Sequence, residues 1–295
     1  MIAKPGCMTN PFYVYESGKP CTAEALAKLA ACGYKVIDLN MCPMQRGASE
    51  FCEDDNWEKY ADILGNEAAR LGVTFVQSHP PYPKPSVRRK SLEDPGCEYN
   101  EFFLRMMKRA LEIDARLGIP WAVMHPVSGR NKPDVDEEDD AAFNRDYYMP
   151  LYEAVASRGV GFAFENMADV DGRRRFGAVP EELFSILSYF EGCKVGLCWD
   201  TGHGNRQYAD QIPALERVAD RLVCTHIDDN VGEKDLHQIP FMGNVAWERV
   251  MRVLKEHSYE GAFIYELASF RSLPEPLKAP LAKYAFAVAE YILKL

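Results

Sequence analysis

Short runs of apolar and β-branched residues alternate along the chain with longer stretches whose apolar positions recur at helical spacing. The strand-like runs are 2–7, 36–40, 73–78, 121–125, 161–165, 194–199, 222–226 and 262–266. The helical stretches are 22–32, 57–71, 98–117, 137–157, 180–190, 209–220, 245–256 and 279–293. The triplet Arg-Leu-Gly at 70–72 and again at 116–118 places a glycine where a helix ends and a strand follows. Eight strands alternating with eight helices is the rhythm of parallel βαβ units. A closed eight-stranded barrel typically needs about 250 residues, and this chain has 295. An open doubly wound sheet usually shows a glycine-rich phosphate turn after its first strand, and MTNPFYVYESG is not one. The pattern predicts an α/β fold, a (β/α)8 TIM barrel, as a single domain over 1–295.

The long connections follow strands three, four, five and seven, whereas the returns from helix to strand are short. Long loops on one face are what a barrel with a site at its carboxyl end requires. On that face, six consecutive strands finish on a group able to bind a divalent cation: His79, His125, Glu165, Asp200, His226 and Glu266. Period-two alternation gives them a common phase. If Glu165 points inward, so do Ala163 and Gly161, and Phe162 and Phe164 face the helices; Asp200 carries Cys198 inward and Glu266 carries Ile264. Any one of these residues has an ordinary structural reading, and Asp200 would serve well as a helix cap. As a set they bring several carboxylates to one barrel mouth with nothing to pair them, which points to a metal. His203 and His237 fall in loops at the same end, and only His257 of the six histidines lies at the other.

Composition narrows the partners. Hydrophobic residues make up 47% and charged residues 26%, and the formal net charge is −10, which argues against a surface built to follow a phosphate backbone. Nine cysteines without CxxC pairs suit a reducing compartment. Without a secretory-type apolar start or a membrane-length apolar run, the expectation is a cytoplasmic protein with no membrane or nucleic-acid partner. Arg88, Arg89 and Lys90, Arg130 and Lys132, and Arg173, Arg174 and Arg175 lie on carboxyl-face loops, where an arginine could grip an anion. Arg174 is the expected contact. Phe12, Tyr13, Tyr15, Tyr82, Trp199 and Phe270 are candidates to wall a sugar pocket, Tyr82 and Trp199 foremost.

The ordered strand-end motifs, from SHPPY through CWDTGH and CTHIDDN to IYELAS, resemble the xylose-isomerase-like barrels. That family includes ketose 3-epimerases, hydroxypyruvate isomerases, inosose dehydratases and an AP endonuclease of the same fold. The resemblance implies one Mn, Zn, Co or Mg ion on Glu165, Asp200, His226 and Glu266, with His203 contacting substrate. It also implies that His79, His125, His203, Asp235 and His237 are additional metal or substrate groups, since they resemble the remaining ligands of the endonuclease. One departure is that ketose 3-epimerases usually carry an Arg within an Asn-Arg pair after the strand-seven His, whereas Val231 follows Asn230 here.

The first functional expectation is a metal-dependent sugar or sugar-phosphate isomerase or epimerase acting on a small-molecule carbohydrate. Glu165 and Glu266 would be the proton-transfer residues, working through an enediolate whose charge the metal holds. The alternatives are a metal-dependent phosphodiesterase resembling the AP endonuclease, or a metal-binding subunit of a carbon–glycoside-cleaving lyase complex. Barrels of this kind often form dimers or tetramers, so a homo-oligomer is compatible with the sequence.

Overall fold

Small side chains inside and aromatic ones outside decide how the strands close. The computed structural model describes residues 4–12, 21–82, 98–128, 137–170, 172–270 and 272–295. Its strands are β1 Pro5–Met8, β2 Val36–Asn40, β3 Thr74–His79, β4 Trp121–Met124, β5 Gly161–Glu165, β6 Val195–Asp200, β7 Leu222–His226 and β8 Phe263–Tyr265. They run parallel in the order β7-β6-β5-β4-β3-β2-β1-β8. The ring closes where Ile227 N donates to Ile264 O at 2.7 Å and Glu266 N donates to Ile227 O at 3.2 Å. The fold is a TIM barrel.

Val123, Ala163, Cys198 and Cys224 pack together as a small core apart from the main hydrophobic cluster, in the phase expected for the barrel interior. Phe162 and Phe164 point the other way. The Phe164 ring lies 5.3 Å from Tyr148 and 5.5 Å from Phe190 between centroids, beneath the helices. A narrow barrel has room for few large side chains, so the bulk goes to the strand–helix layer. At Gly161 an added Cβ would lie 2.6 Å from Trp121 Cζ3, so the start of β5 requires glycine.

The helices are α1 Thr22–Ala31, α2 Trp57–Leu71, α3 Glu98–Leu117, α4 Glu137–Ala156, α5 Pro180–Ser188, α6 Thr201–Gln207, α7 Ile212–Val218, α8 Trp247–Glu256 and α9 Glu275–Ile292. Gly72 and Gly118 follow α2 and α3 at φ 61° and 68°, as the repeated triplet predicts. Two differences from the sequence pattern matter. The stretch read as one helix over 209–220 is α7 followed by a 3-10 turn, Ala219–Arg221. And α6 has no apolar periodicity: Asp200 starts it by accepting a hydrogen bond from His203 N at 2.6 Å. Gly202 and Gly204 let its backbone sit against Asp228 and Gln211, with which side chains there would collide. Every described cysteine is a free thiol. Among the described residues no helix is long and apolar enough to cross a membrane.

Candidate metal centre

The strand-end groups meet. Glu165, Asp200 and His226 are the last residues of β5, β6 and β7, and Glu266 follows β8 directly. One ligand atom from each of these four lies within 4.8 Å of the others. His226 Nδ1 is 2.6 Å from Glu165 Oε1 and 3.1 Å from Glu266 Oε2. His79 closes β3 and joins from the other side: its Nε2 is 3.0 Å from His125 Nε2, and His125 Nε2 is 2.8 Å from Glu165 Oε2. A second group adjoins the first. Asp235 Oδ2 is 3.3 Å from His203 Nε2 and 3.1 Å from His237 Nε2, and Asp228 Oδ2 is 3.5 Å from His237 Nδ1.

Four of the imidazoles share one arrangement, and His125, whose Nδ1 is buried without a partner, departs from it. His203 Nδ1 donates to Asn166 O at 2.9 Å, His237 Nδ1 to Glu266 O at 3.1 Å, and His79 Nδ1 to Pro80 O at 3.1 Å. His226 Nε2 donates to Asp38 Oδ2 at 3.1 Å. In each, one nitrogen is held by an oxygen outside the cluster and the other turns toward the shared carboxylates. That is how metal-binding histidines are usually fixed in tautomer and orientation. His237 holds this position at φ 45°, a strained backbone for a non-glycine residue.

Charge balance points the same way. Asp200 Oδ2 and both oxygens of Asp228 are buried without a hydrogen-bond partner, an arrangement costly for carboxylates unless a cation sits among them. Burial, and then the neighbouring Asp228, push the Asp200 carboxyl well above its ordinary range. Burial opposes the charged form of His203, but Asp200, Asp235 and Glu165 outweigh it and raise the imidazole to about 10. Burial likewise opposes charged His226 and His237, but Cys198, Glu165, Glu266 and Asp38 raise the first and Asp228, Asp235 and Glu266 raise the second. Burial works against ionised Glu165, yet His226 and His125 hold it well below the usual carboxylate range. Burial pulls His125 down to about 3 despite Glu165. The donor set, oxygen and imidazole nitrogen with three unsatisfied carboxylate oxygens on Asp200 and Asp228, fits a divalent cation.

The xylose isomerase-like TIM barrel family matches this chain over residues 26–286. The chain belongs to it. A curated relative, an uncharacterized protein of Sinorhizobium fredii, is 26% identical over 175 residues, covering 55% of this chain and 52% of that protein. The chain thus spans about half the length of that relative. Among solved structures, a D-tagatose 3-epimerase-like protein superposes with a TM-score of 0.73 at 19% identity, over 99% of this chain and 98% of that one. A D-psicose 3-epimerase crystallised in the presence of D-fructose gives 0.74 at 15% identity, over 99% of both chains. At these identities the structural likeness speaks for the fold.

Not every expected residue reaches the site. Trp199 is buried outside the barrel, its indole N–H donating to Gln211 Oε1 at 2.9 Å. Alternation requires this, because Asp200 and Cys198 take the inward positions on either side. Arg174 is held by Asp169 at 2.9 Å and Glu182 at 2.5 Å, and braces its own loop instead of facing the barrel mouth. Phe12 and Phe270 are buried with ring centroids 6.4 Å apart. Tyr82 does arrive, stacked on His125 at 4.3 Å, with burial raising its phenol to about 12. His257 pairs with Asp220 at 2.6 Å, away from the cluster. Tyr13, Tyr15, Arg88, Arg89, Lys90, Arg130 and Lys132 lie outside the described residues.

Three groups escape a reading of strand ends alone. Asp38 lies two residues inside the end of β2, fully buried, with Gln77 Nε2 donating to it at 2.8 Å. A lone acid in the apolar run VIDLN is the signal that would have found it. Asp228 follows β7 and gives no pattern beyond its neighbours. Cys42, 3.2 Å from His79 Nδ1, comes from a 3-10 turn after β2.

Proposed function

We propose that this chain is a divalent-metal-dependent isomerase or epimerase of a small carbohydrate carrying a carbonyl beside a carbinol carbon. The observation that carries the reading is His226: one nitrogen is tied to Asp38, and the other faces Glu165 at 2.6 Å and Glu266 at 3.1 Å. Glu165, Asp200, His226 and Glu266 would hold the cation, a Mn, Zn, Co or Mg ion. When bound, such an ion supplies the Lewis acidity that makes a C–H next to a carbonyl easier to ionise.

The chain's own groups do the rest. One of Glu165 and Glu266 takes the proton from carbon, the electron pair moves toward the carbonyl oxygen as the enediolate forms, and the other returns a proton. Return to the opposite face of the same carbon is epimerisation; return to the neighbouring carbon, with a proton shift between the oxygens, is isomerisation. His203 and His125 would orient hydroxyls, and the burial of Glu165 would keep water from the proton it carries. The 3-epimerases among the structural neighbours support this class of reaction by analogy of fold.

The test is exchange in deuterium oxide, using stripped protein reloaded with each ion in turn against ketoses, ketose phosphates and inositol ketones. Deuterium entering the substrate at carbon only with ion present is the expected result. No exchange with any substrate and ion would sink the reading. A second reading, phosphodiester hydrolysis, draws on the adjoining Asp228, Asp235, His203 and His237 group. Cleavage of a model phosphodiester by the same preparations would favour it.

A further inference from the structure

Among the arginines close to the barrel mouth, Arg174 is neutralised within 3 Å and its neighbour Arg175 is not. Among the described residues no carboxylate comes within 4.0 Å of the Arg175 guanidinium. Its Nε is buried without a hydrogen-bond partner, and its Nη2 has only a 3.9 Å contact with Met167 Sδ. Met167 lies two residues past Glu165 at the end of β5, so that contact sets the guanidinium beside the centre already described, where Glu165, Asp235 and Tyr82 act on it electrostatically. Those carboxylates are engaged with imidazoles. Arg206 of α6, one turn beyond His203, lies within the same reach and also lacks a described carboxylate partner. A guanidinium with a buried, unsatisfied N–H, feeling the charge of a second arginine and paired with no described carboxylate, is unfavourable unless an anion joins it.

The backbone around Arg175 is held as though to aim it. Asp169 Oδ1 accepts from Arg175 N at 2.9 Å, and Ser128 Oγ accepts from Phe176 N at 2.9 Å. Glu182 Oε2 accepts from Gly177 N at 2.8 Å and Ala178 N at 2.9 Å. Arg174 clamps Asp169 to Glu182 across the same loop. The loop is therefore fixed from three sides while one side chain is left without a partner.

We infer that Arg175 receives an anionic group on the substrate, a phosphate monoester or a carboxylate carried by the sugar, with Arg206 adding positive charge to the site. A planar guanidinium matches the paired oxygens of either group. The inference deepens the isomerase reading and rests on it for the sugar, but the anion site stands on the arginines alone.

The experiment uses the full chain stripped of metal, so that no ion can itself bind the anion. Calorimetric titration with inorganic phosphate, a ketohexose phosphate, a hexuronate and a neutral ketose compares wild type with R175Q, R175K, R206Q and the exposed control R173Q. Wild type should bind an acidic ligand more tightly than the neutral ketose. R175Q should weaken this by about tenfold or more, R206Q by less, and R173Q not at all. R175K should recover part, since it keeps the charge and loses the fork. Preference for the phosphate ester or the uronate tells the two anions apart. R175Q binding as well as wild type, or no anion bound by wild type, overturns the inference. Anion binding without sugar turnover by reloaded protein would refute the isomerase reading and leave this site standing; turnover without Arg175-dependent binding would do the reverse.

Discussion

Asp38 Oδ2 lies 3.1 Å from His226 Nε2, on the far side of the ring from Glu165 and Glu266. A carboxylate there keeps a proton on Nε2 and leaves the Nδ1 lone pair for a cation. D38A should therefore lower metal affinity by about 10- to 100-fold, measured by competition with a chelator. D38N, which retains an acceptor oxygen, should lose less. Wild-type affinity in D38A would show that His226 needs no such partner.

In the proposed reading Glu165 and Glu266 both hold the ion and transfer the proton, whereas Asp200 and His226 only hold the ion. E165Q and E266Q should each lower kcat by about 100-fold or more with the fold intact by circular dichroism. D200A and H226A should instead reduce bound metal per chain, read by elemental analysis. Full turnover in either Gln variant would reject the proton-transfer roles.

His203, His226 and His237 hold protons more tightly than free imidazole, His203 up to about 10. In the ion-free protein these raised values contribute stability that is complete below about pH 6.5 and is lost as pH climbs toward the folded value. A cation needs the same nitrogens unprotonated, so its affinity rises with pH. Chelated protein should melt at a lower temperature at about pH 9 than at about pH 7, while the gain in Tm from added metal grows. Calorimetry in buffers of different ionisation enthalpy should show protons released on metal binding. A metal-induced shift in Tm independent of pH, with no proton release, would contradict this.

Asp229 is fully buried and accepts from Asn230 N at 2.9 Å, Phe241 N at 2.8 Å, Val245 N at 3.1 Å and Trp247 Nε1 at 3.0 Å. It holds the loop that carries Asp235 and His237. D229A leaves these donors unsatisfied and should cost about 3 kcal/mol or more. Denaturant unfolding would measure that loss, and D229N should retain part of the stability. An unchanged unfolding midpoint in D229A would mean the loop is held elsewhere.

The barrel was legible in the sequence because its signals are local. β2, β5 and β7 keep the bounds that the apolar runs predict, and α2 and α3 keep both ends. The six strand-end groups were legible for the same reason: alternation sets their phase, and the loop after each strand places them on one face. Asp38 was missed because it lies inside a strand instead of at its tip. The short α6 was missed because a cap and two close-packed glycines make it, without apolar periodicity. Residue type alone suggests the pocket for Trp199 and Arg174, while their partners Gln211, Asp169 and Glu182 are far enough along the chain, or loosely enough patterned, that only folding reveals them.

The chain's pattern by itself determined the βα alternation, the inward phase of each strand and the chemistry available at the barrel mouth, since these follow from spacing along one backbone. Only the tertiary structure decided which nitrogen of each imidazole faces the centre, which carboxylates lack partners, and that Arg175 is unpaired while Arg174 is not. Those depend on distances between residues far apart in the chain, and no periodicity encodes them.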